Sequence, residues 1–197
     1  MKRILSALAL GLLAAGAQAT PIVNSFGLSA PETTITFSEV SFSANTLITN
    51  QFAGFGVTTS GHKYNSQGNS PFPGISGDYI GVSTTVPFVL SFGKVVSAAA
   101  FGYAKNPTTV LVEALLGNTV VESFSQAVTY NNANTAFLGF SGIAFDAIRV
   151  TANVTEGLVD NVQIGTARQA VPEPAALSLL AVAVAAAGLA RRSRKRA

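Results

Sequence analysis

The chain has 197 residues and a formal net charge of +3, but its charges are unevenly distributed. Between Thr20 and Ala170 there are eight acidic and five basic residues, which gives this stretch a net charge of −3. A nucleic-acid surface is not expected, because such surfaces present clustered positive charge. The sequence contains no cysteine. Disulfides and thiolate metal sites are therefore excluded.

Residues 1–19 have the three parts of a secretory signal peptide. These parts are the basic Lys2 and Arg3, the apolar Ile4–Leu13, and the small residues Ala17 and Ala19 directly before Thr20. We expect export through the Sec translocon and cleavage by signal peptidase between Ala19 and Thr20. An uncleaved membrane anchor is the alternative, which the short apolar run disfavours.

Residues 20–170 have the composition of a single exported β domain. Threonine, valine, phenylalanine, serine and glycine dominate, and the candidate strands are short and closely spaced. They are Thr33–Phe37, Thr46–Phe52, Gly56–Ser60, Tyr79–Val82, Pro87–Phe92, Val95–Tyr103, Thr108–Leu116, Thr119–Val128, Thr135–Phe140, Ala144–Ala152 and Leu158–Ile164. This pattern predicts an all-β fold, an antiparallel β-sandwich of jelly-roll type, with a β-barrel as the alternative.

The clearest local feature is a hairpin around Gly117-Asn118. Val110–Leu116 and Thr119–Ser125 are both rich in β-forming residues and flank this two-residue turn. A turn of this length and composition is typical of type I′ or II′ hairpins.

The stretch Gly61–Gly74 is polar and rich in glycine and proline, which predicts a long exposed loop. In such a loop the rings of Tyr64 and Phe72, and of Tyr79 beside it, would be accessible for stacking on sugars. His62 is the only histidine, so it excludes a multi-histidine metal site and is expected to be an ordinary loop residue.

A pair of carboxylates is the one enzymatic arrangement that the composition permits, because glycoside hydrolysis needs only two suitably spaced acids. Glu113 and Glu122 lie in the two arms of the hairpin, but no glycosidase signature surrounds either residue. We therefore expect a protein without catalytic activity, with a secreted carbohydrate-active hydrolase as the alternative.

Two acidic residues near the first and last predicted strands are candidate calcium ligands. If those strands pair, Glu39 and Asp160 come close to each other and to the turn at Asn50–Gly56. Calcium binds carboxylates together with backbone carbonyls, so these residues suit a structural calcium ion. The alternative is that Asp160 caps a turn and Glu39 is solvated.

The C-terminal residues form a membrane-directed segment in three parts. Val171-Pro172-Glu173-Pro174 follows a linker that begins at Arg168, and Ala175–Ala190 is an uncharged run of sixteen residues. As a transmembrane helix this run would span about 24 Å. The basic residues after it are Arg191, Arg192, Arg194, Lys195 and Arg196. They predict that the tail stays in the cytoplasm and that the preceding domain lies outside.

Residues 171–197 resemble the PEP-CTERM sorting signal of Gram-negative bacteria, which has a Pro-Glu-Pro triplet, a short hydrophobic helix and an arginine-rich end. The resemblance implies recognition by an exosortase, loss of the helix, and release or attachment of the mature protein at the cell surface. An ordinary single-span tail anchor is the alternative.

The exported region resembles, more loosely, the β domains that PEP-CTERM proteins often carry. The matching pieces are Ile35–Glu39, Thr49–Val57 and Leu158–Ile164. These domains look like carbohydrate-binding jelly rolls whose first and last strands pair. The resemblance implies a non-enzymatic surface or matrix protein that sits among extracellular polysaccharide and binds it weakly at most.

Overall fold

The computed structural model describes residues 19–65, 72–82, 87–152 and 157–166. The chain divides into two compact units, residues 1–167 and residues 168–197. The predicted signal peptide before Ala19 and the whole predicted sorting signal, residues 171–197, lie outside the described residues. Within the described ranges no helix is both long and apolar enough to cross a membrane.

The described residues form an antiparallel all-β fold of eleven strands, which confirms the predicted class. The strands are β1 (Thr20–Asn24), β2 (Thr33–Ile35), β3 (Leu47–Ile48), β4 (Val57–Thr59), β5 (His62–Asn65), β6 (Tyr79–Val82), β7 (Phe88–Lys105), β8 (Thr108–Leu116), β9 (Thr119–Val128), β10 (Phe137–Ala152) and β11 (Gly157–Gly165). Two 3₁₀ turns, Ala53–Phe55 and Ala133–Thr135, join some of them.

The hydrogen-bonded order of the strands is β3-β5-β6-β11-β7-β10-β8-β9, with β1 on β10, β2 on β11 and β4 on β7. The long strands β7 and β10 change partners along their length. The first part of β7 pairs with β4 and with the end of β10, whereas its second part pairs with β11 and with the start of β10. Register shifts interrupt the β7–β10 pairing around Phe145, between these two parts. The sheet therefore has two halves that share two strands.

One hydrophobic core contains residues from both halves of the sheet. Leu90 and Ile148 come from the first half, Phe101 and Val159 from the second, and all four are fully buried. Burying one such side chain stabilises a fold by about 1.5–3 kcal/mol. Because the chain has no cysteine, this apolar burial replaces the cross-links common in exported domains.

Two local predictions are confirmed. Strands β8 and β9 form the predicted hairpin, with Leu116 opposite Thr119. The turn residues Gly117 (φ 55°) and Asn118 (φ 69°) both have the positive φ that a type I′ turn requires. Strand β2, the first strand that the sequence predicts, pairs with the last strand β11, whereas β1, which the sequence does not predict, pairs with β10.

The predicted exposed loop at Gly61–Gly74 is wrong in its first part. His62–Asn65 form β5, which pairs with β3 and β6. His62 and Tyr64 are 6% and 1% exposed, while Lys63 between them is exposed. The physical reason is the period-2 alternation of a strand, which places His62 and Tyr64 on the buried face despite the polar composition around them.

Candidate functional site

Asp160 is fully buried in β11, beside the residues of β11 that pair with β2. Asp160 and its neighbours Glu39, Ser76, Asp78 and Asn161 form what we call the Asp160 corner. The register of β11 shifts between Asp160 and Gln163, and Asn161 has a left-handed φ of 47°. One Asp160 carboxylate oxygen accepts the backbone N–H of Ser76 at 2.7 Å, and the other accepts the backbone N–H of Asn161 at 2.6 Å. The Asn161 side-chain amide also donates to Asp160 at 3.0 Å. Asp160 therefore holds the turn that contains Ser76.

Burial raises the pKa of Asp160 to about 8, and the negative charges of Glu39 and Asp78 act in the same direction. The hydrogen bonds from Ser76 and Asn161 act in the opposite direction but are outweighed. The Asp160 carboxyl group therefore prefers to be neutral near neutral pH.

Hydrogen bonds bring the segment that contains Glu39 near Asp160, since the Ser38 hydroxyl accepts the Asp78 N–H at 3.1 Å and the nearby Ser76 N–H donates to Asp160. The Glu39 carboxylate accepts the backbone N–H of Thr36 at 2.7 Å and the Thr36 hydroxyl at 3.1 Å. In the part of the chain that the structure describes, no three or more acidic or histidine side chains are grouped as ligands for a metal. The calcium site stays a prediction.

The predicted sugar-stacking role of Tyr64 is wrong, because its ring is buried. Its hydroxyl donates to the Asp78 carboxylate at 2.6 Å, and its ring makes an edge contact with Phe42. Tyr79 is also buried, at 5% exposure. Phe72 is half-buried and stacks on Tyr130 with ring centroids 4.5 Å apart, so one of its faces is already covered.

His62 is not the loop residue that the sequence predicts. Its ring lies against Phe88, with centroids 4.7 Å apart. Within the described ranges, neither imidazole nitrogen has a hydrogen-bond partner. Burial lowers the pKa of His62 to about 4, so the side chain is neutral at pH 7.

Glu113 and Glu122 do not face a common site. Glu113 makes a two-point ion pair with Arg149, with N–O distances of 2.6 and 2.9 Å. The hydrogen bond from Arg149 lowers the pKa of Glu113. In the β8–β9 pairing Glu113 lies opposite Ser123, whereas Glu122 lies opposite Ala114. Adjacent pairs project to opposite faces of a sheet, so the two carboxylates cannot flank one glycosidic bond.

The structure contains a groove that the sequence reasoning missed. Its volume is about 380 Å³, and the residues that line it include Glu32, Gly54, Phe55, Phe92, Lys94 and Ile164. Phe92 and Ile164 are buried and apolar, whereas Phe55 is 41% exposed. The groove therefore combines a buried apolar lining, one accessible aromatic ring and two charged side chains.

Local backbone geometry holds the Phe55 ring at this groove. The 3₁₀ turn Ala53–Phe55 ends at Gly56, whose φ of 97° is left-handed and therefore favours glycine. The Gly56 carbonyl accepts the backbone N–H of Gly93 at 3.1 Å, which ties the turn to β7. The Phe55 ring packs on buried Phe52 with centroids 6.0 Å apart. Phe55 is thus a supported surface ring.

The two charges of the groove are held differently. The Glu32 carboxylate accepts the Thr166 hydroxyl at 2.7 Å and the Thr166 backbone N–H at 3.1 Å. These hydrogen bonds lower the pKa of Glu32, and the nearby charge of Lys94 adds to the effect. No ion pair of Lys94 occurs among the described residues. The groove therefore offers one anchored carboxylate and one ammonium group open to a ligand.

Residues 170–195 match the PEP-CTERM protein-sorting motif. The match confirms the sorting signal that the sequence predicts at this end of the chain. No curated protein sequence matches the chain.

Several solved structures resemble the chain weakly. A DUF4465 family protein from Bacteroides caccae has a TM-score of 0.35 and 12% identity, covering 75% of this chain and 99% of its own. TmCBM61, solved in complex with β-1,4-galactotriose, has a TM-score of 0.32 and 12% identity, covering 73% and 98%. The enzymatically active domain of tailspike protein 4 of bacteriophage CBA120 has a TM-score of 0.34 and 15% identity, covering 55% of this chain. The chain spans only 18% of that tailspike. Likenesses this weak assign no function.

Proposed function

We propose, because the chain carries a PEP-CTERM protein-sorting motif, that it is an exported, non-enzymatic protein of the cell surface or extracellular matrix. A motif of this kind implies a membrane-anchored precursor that an exosortase processes. In the proposed pathway the Sec translocon exports residues 20–170, signal peptidase removes residues 1–19, and the exosortase acts near Val171–Pro174. The sorting motif is the observation that carries this proposal.

The exported domain in this proposal is a jelly-roll sandwich that binds extracellular polysaccharide weakly at the Phe55 groove. Sugar rings have apolar faces and polar edges. The face of Phe55 suits the apolar face of a pyranose, and Lys94 and Glu32 suit its hydroxyl groups. A single exposed ring with two polar groups corresponds to a weak site rather than a tight one.

The binding proposal is tested with polysaccharide isolated from the native host and labelled for equilibrium binding. We expect the wild-type protein to bind saturably and Phe55→Ala to bind at least about tenfold more weakly, a loss of about 1.4 kcal/mol. The matched control is Phe26→Ala, because Phe26 is 57% exposed but does not line the groove. Equal binding by wild type and Phe55→Ala, or no binding by either, would overturn the groove assignment.

The sorting proposal has a separate test, so that each can fail independently. Mass spectrometry of surface and secreted protein from the native host should find molecules that begin at Thr20 and lack Ala175–Ala197. In a strain without the exosortase, the tail should persist. If every mature wild-type molecule retains Arg191–Arg196, the protein is permanently anchored and the exosortase proposal is wrong.

The proposal of a structural calcium ion rests on the corner around Asp160. A buried ionised carboxylate is costly without a compensating charge, and Glu39 and Asp78 add negative charge nearby. A divalent cation that binds oxygen ligands would offset most of this negative charge. Its effect would be on stability rather than on recognition.

A further inference from the structure

Most edges of the sheet are protected against pairing with another chain. Strands β2, β3 and β4 contain three, two and three residues, which is too short to offer a template. Strand β1 has five residues and includes Pro21, which has no N–H to donate. Short strands and edge proline are the usual devices against edge-to-edge association.

Strand β9 is neither short nor interrupted by proline. It is ten residues long, and among the described residues only β8 pairs with it. No described strand pairs with its other edge, although the Glu122 carboxylate accepts the Ser123 N–H and the Gln126 side-chain amide donates to the Ala127 carbonyl. It contains no proline, glycine, lysine or arginine, and Glu122 is its single charged residue. Val120 and Val121 are 42% and 41% exposed. An open edge of this length and composition is a template for strand addition.

We propose that β9 is a homodimer interface, at which β9 of a second copy pairs antiparallel so that the sheet continues from one protomer into the other. Two identical edges can do this through a twofold axis, because the same strand serves both sides. Seven residues, Glu122–Val128, pair with β8 without a register shift and so present a regular edge. Their pairing would form about seven hydrogen bonds, within the usual range for a specific interface.

The charge of β9 is compatible with self-pairing and restricts its register. In an antiparallel pair with twofold symmetry, two residues that face each other must point to the same side of the sheet. Because side chains alternate along a strand, the numbers of the two residues must then add to an even sum. Glu122 faces itself only when that sum is 244, and like charges directly opposite are destabilising. A sum of 250 places Ser125 on the axis, pairs the whole segment Glu122–Val128 with itself and separates the two carboxylates. The interface should therefore be centred on Ser125.

The first experiment measures the molar mass of the full chain in mild detergent by light scattering. The wild-type protein is expected at twice the protomer mass, and Ser123→Lys at one protomer, because an added lysine on the edge opposes strand addition. The matched control is Ser25→Lys, at an exposed bend outside the strands, which should stay dimeric. A monomeric wild type overturns the proposal, as does a Ser123→Lys protein that remains dimeric.

The second experiment uses the absence of cysteine to locate the axis. Facing Cα atoms in an antiparallel pair lie about 4.5–5.5 Å apart, which is within disulfide range. Single cysteines at residues 122, 123, 124 and 125 are oxidised in turn, with Ser25→Cys as the background control. We expect rapid covalent dimer formation at 125 and little at 122. No cross-link above background at any of the four positions would contradict the proposed pairing.

Discussion

Asp160 and His62 are both buried titratable residues, but the protein accommodates them in different ways. The Asp160 carboxyl group accepts hydrogen bonds from Ser76 and Asn161. Within the described ranges the His62 imidazole has no such partner and packs against Phe88. Burial favours the neutral form of both, so it raises the pKa of Asp160 to about 8 and lowers that of His62 to about 4.

The comparison separates two effects of a protein interior. Burial is the largest cause of both pKa shifts and sets their direction, because it penalises whichever form is charged. Hydrogen bonding decides how each side chain is held. The hydrogen bonds of Asp160 connect the turn at Ser76 to β11, whereas His62 packs as a flat ring against Phe88. The two residues therefore give stability opposite responses to pH.

The largest expected effect concerns Asp160. Its pKa is about 8 in the folded protein and 3.8 when unperturbed, so the folded state holds the proton more tightly. Stability is then full below about pH 3.8 and falls as the pH rises towards 8, by on the order of 5–6 kcal/mol. Asp160→Asn resembles the neutral acid and should lose this dependence. Urea unfolding of both proteins across this range measures it.

The matched control for that experiment is Asp146→Asn, which changes a half-buried carboxylate on β10. The difference in free energy of unfolding between Asp146→Asn and wild type should not show the pH dependence expected for Asp160→Asn. If Asp160→Asn and wild type lose stability in parallel as the pH rises, Asp160 is ionised in the folded protein and the assigned pKa is wrong.

The second effect concerns His62 and has the opposite sign. Its pKa is about 4 in the folded protein and 6.5 when unperturbed, so the unfolded state binds the proton more readily. Stability is full above pH 6.5 and falls as the pH drops towards 4, by about 3 kcal/mol. His62→Leu should remove this acid sensitivity. It should not destabilise the protein strongly at pH 7, because no hydrogen bond to a described residue is lost.

Lys63→Leu provides the control for His62→Leu, because Lys63 is the adjacent residue on the exposed face of β5. Urea unfolding at pH 7 and pH 4.5 compares the three proteins. A His62→Leu protein as acid-sensitive as Lys63→Leu would show that another group causes the loss of stability.

The sequence predicted some of these features for clear physical reasons. The β8–β9 hairpin was predictable because Gly117-Asn118 is a local turn signal and the flanking residues are strong β formers. The pairing of β2 with β11 was expected from a resemblance, and it placed Glu39 near Asp160. The full burial of Asp160 could not be predicted from the sequence, because it depends on the turn around Ser76, which is distant from Asp160 along the chain.

Other features needed the folded structure. The groove unites Glu32, Phe55, Lys94 and Ile164, which are far apart in sequence and carry no joint motif. The alternation of buried and exposed side chains in β5 is present in the sequence, but the neighbouring glycine, proline and polar residues favoured the prediction of a loop. The long strands β7 and β10 were predicted in pieces, because the alternation of side chains is interrupted near the register shifts in their pairing.

The third effect is that of calcium on the Asp160 corner. If the proposed ion binds, a chelator should lower the melting temperature of the wild-type protein at pH 7.5, and added calcium should restore it. Calcium at a hundredfold excess over its dissociation constant stabilises a protein by about 2.7 kcal/mol. Asp160→Asn should abolish the response. A melting temperature that neither chelator nor calcium changes in the wild-type protein would rule out the ion.

The smallest expected effect is that of Glu39 on the titration of Asp160. The charge of Glu39 raises the pKa of Asp160, but by less than burial does. Glu39→Gln should therefore move the Asp160 midpoint to lower pH by much less than burial displaces it, because one nearby like charge is removed while the buried setting is unchanged. Carboxyl-carbon NMR in chelator-treated protein follows this midpoint directly. Glu122→Gln, on β9, is the matched control and should leave it unchanged. An Asp160 midpoint that is equal in the wild-type and Glu39→Gln proteins would show that the two carboxylates are not coupled, and it would also remove Glu39 from the proposed calcium site.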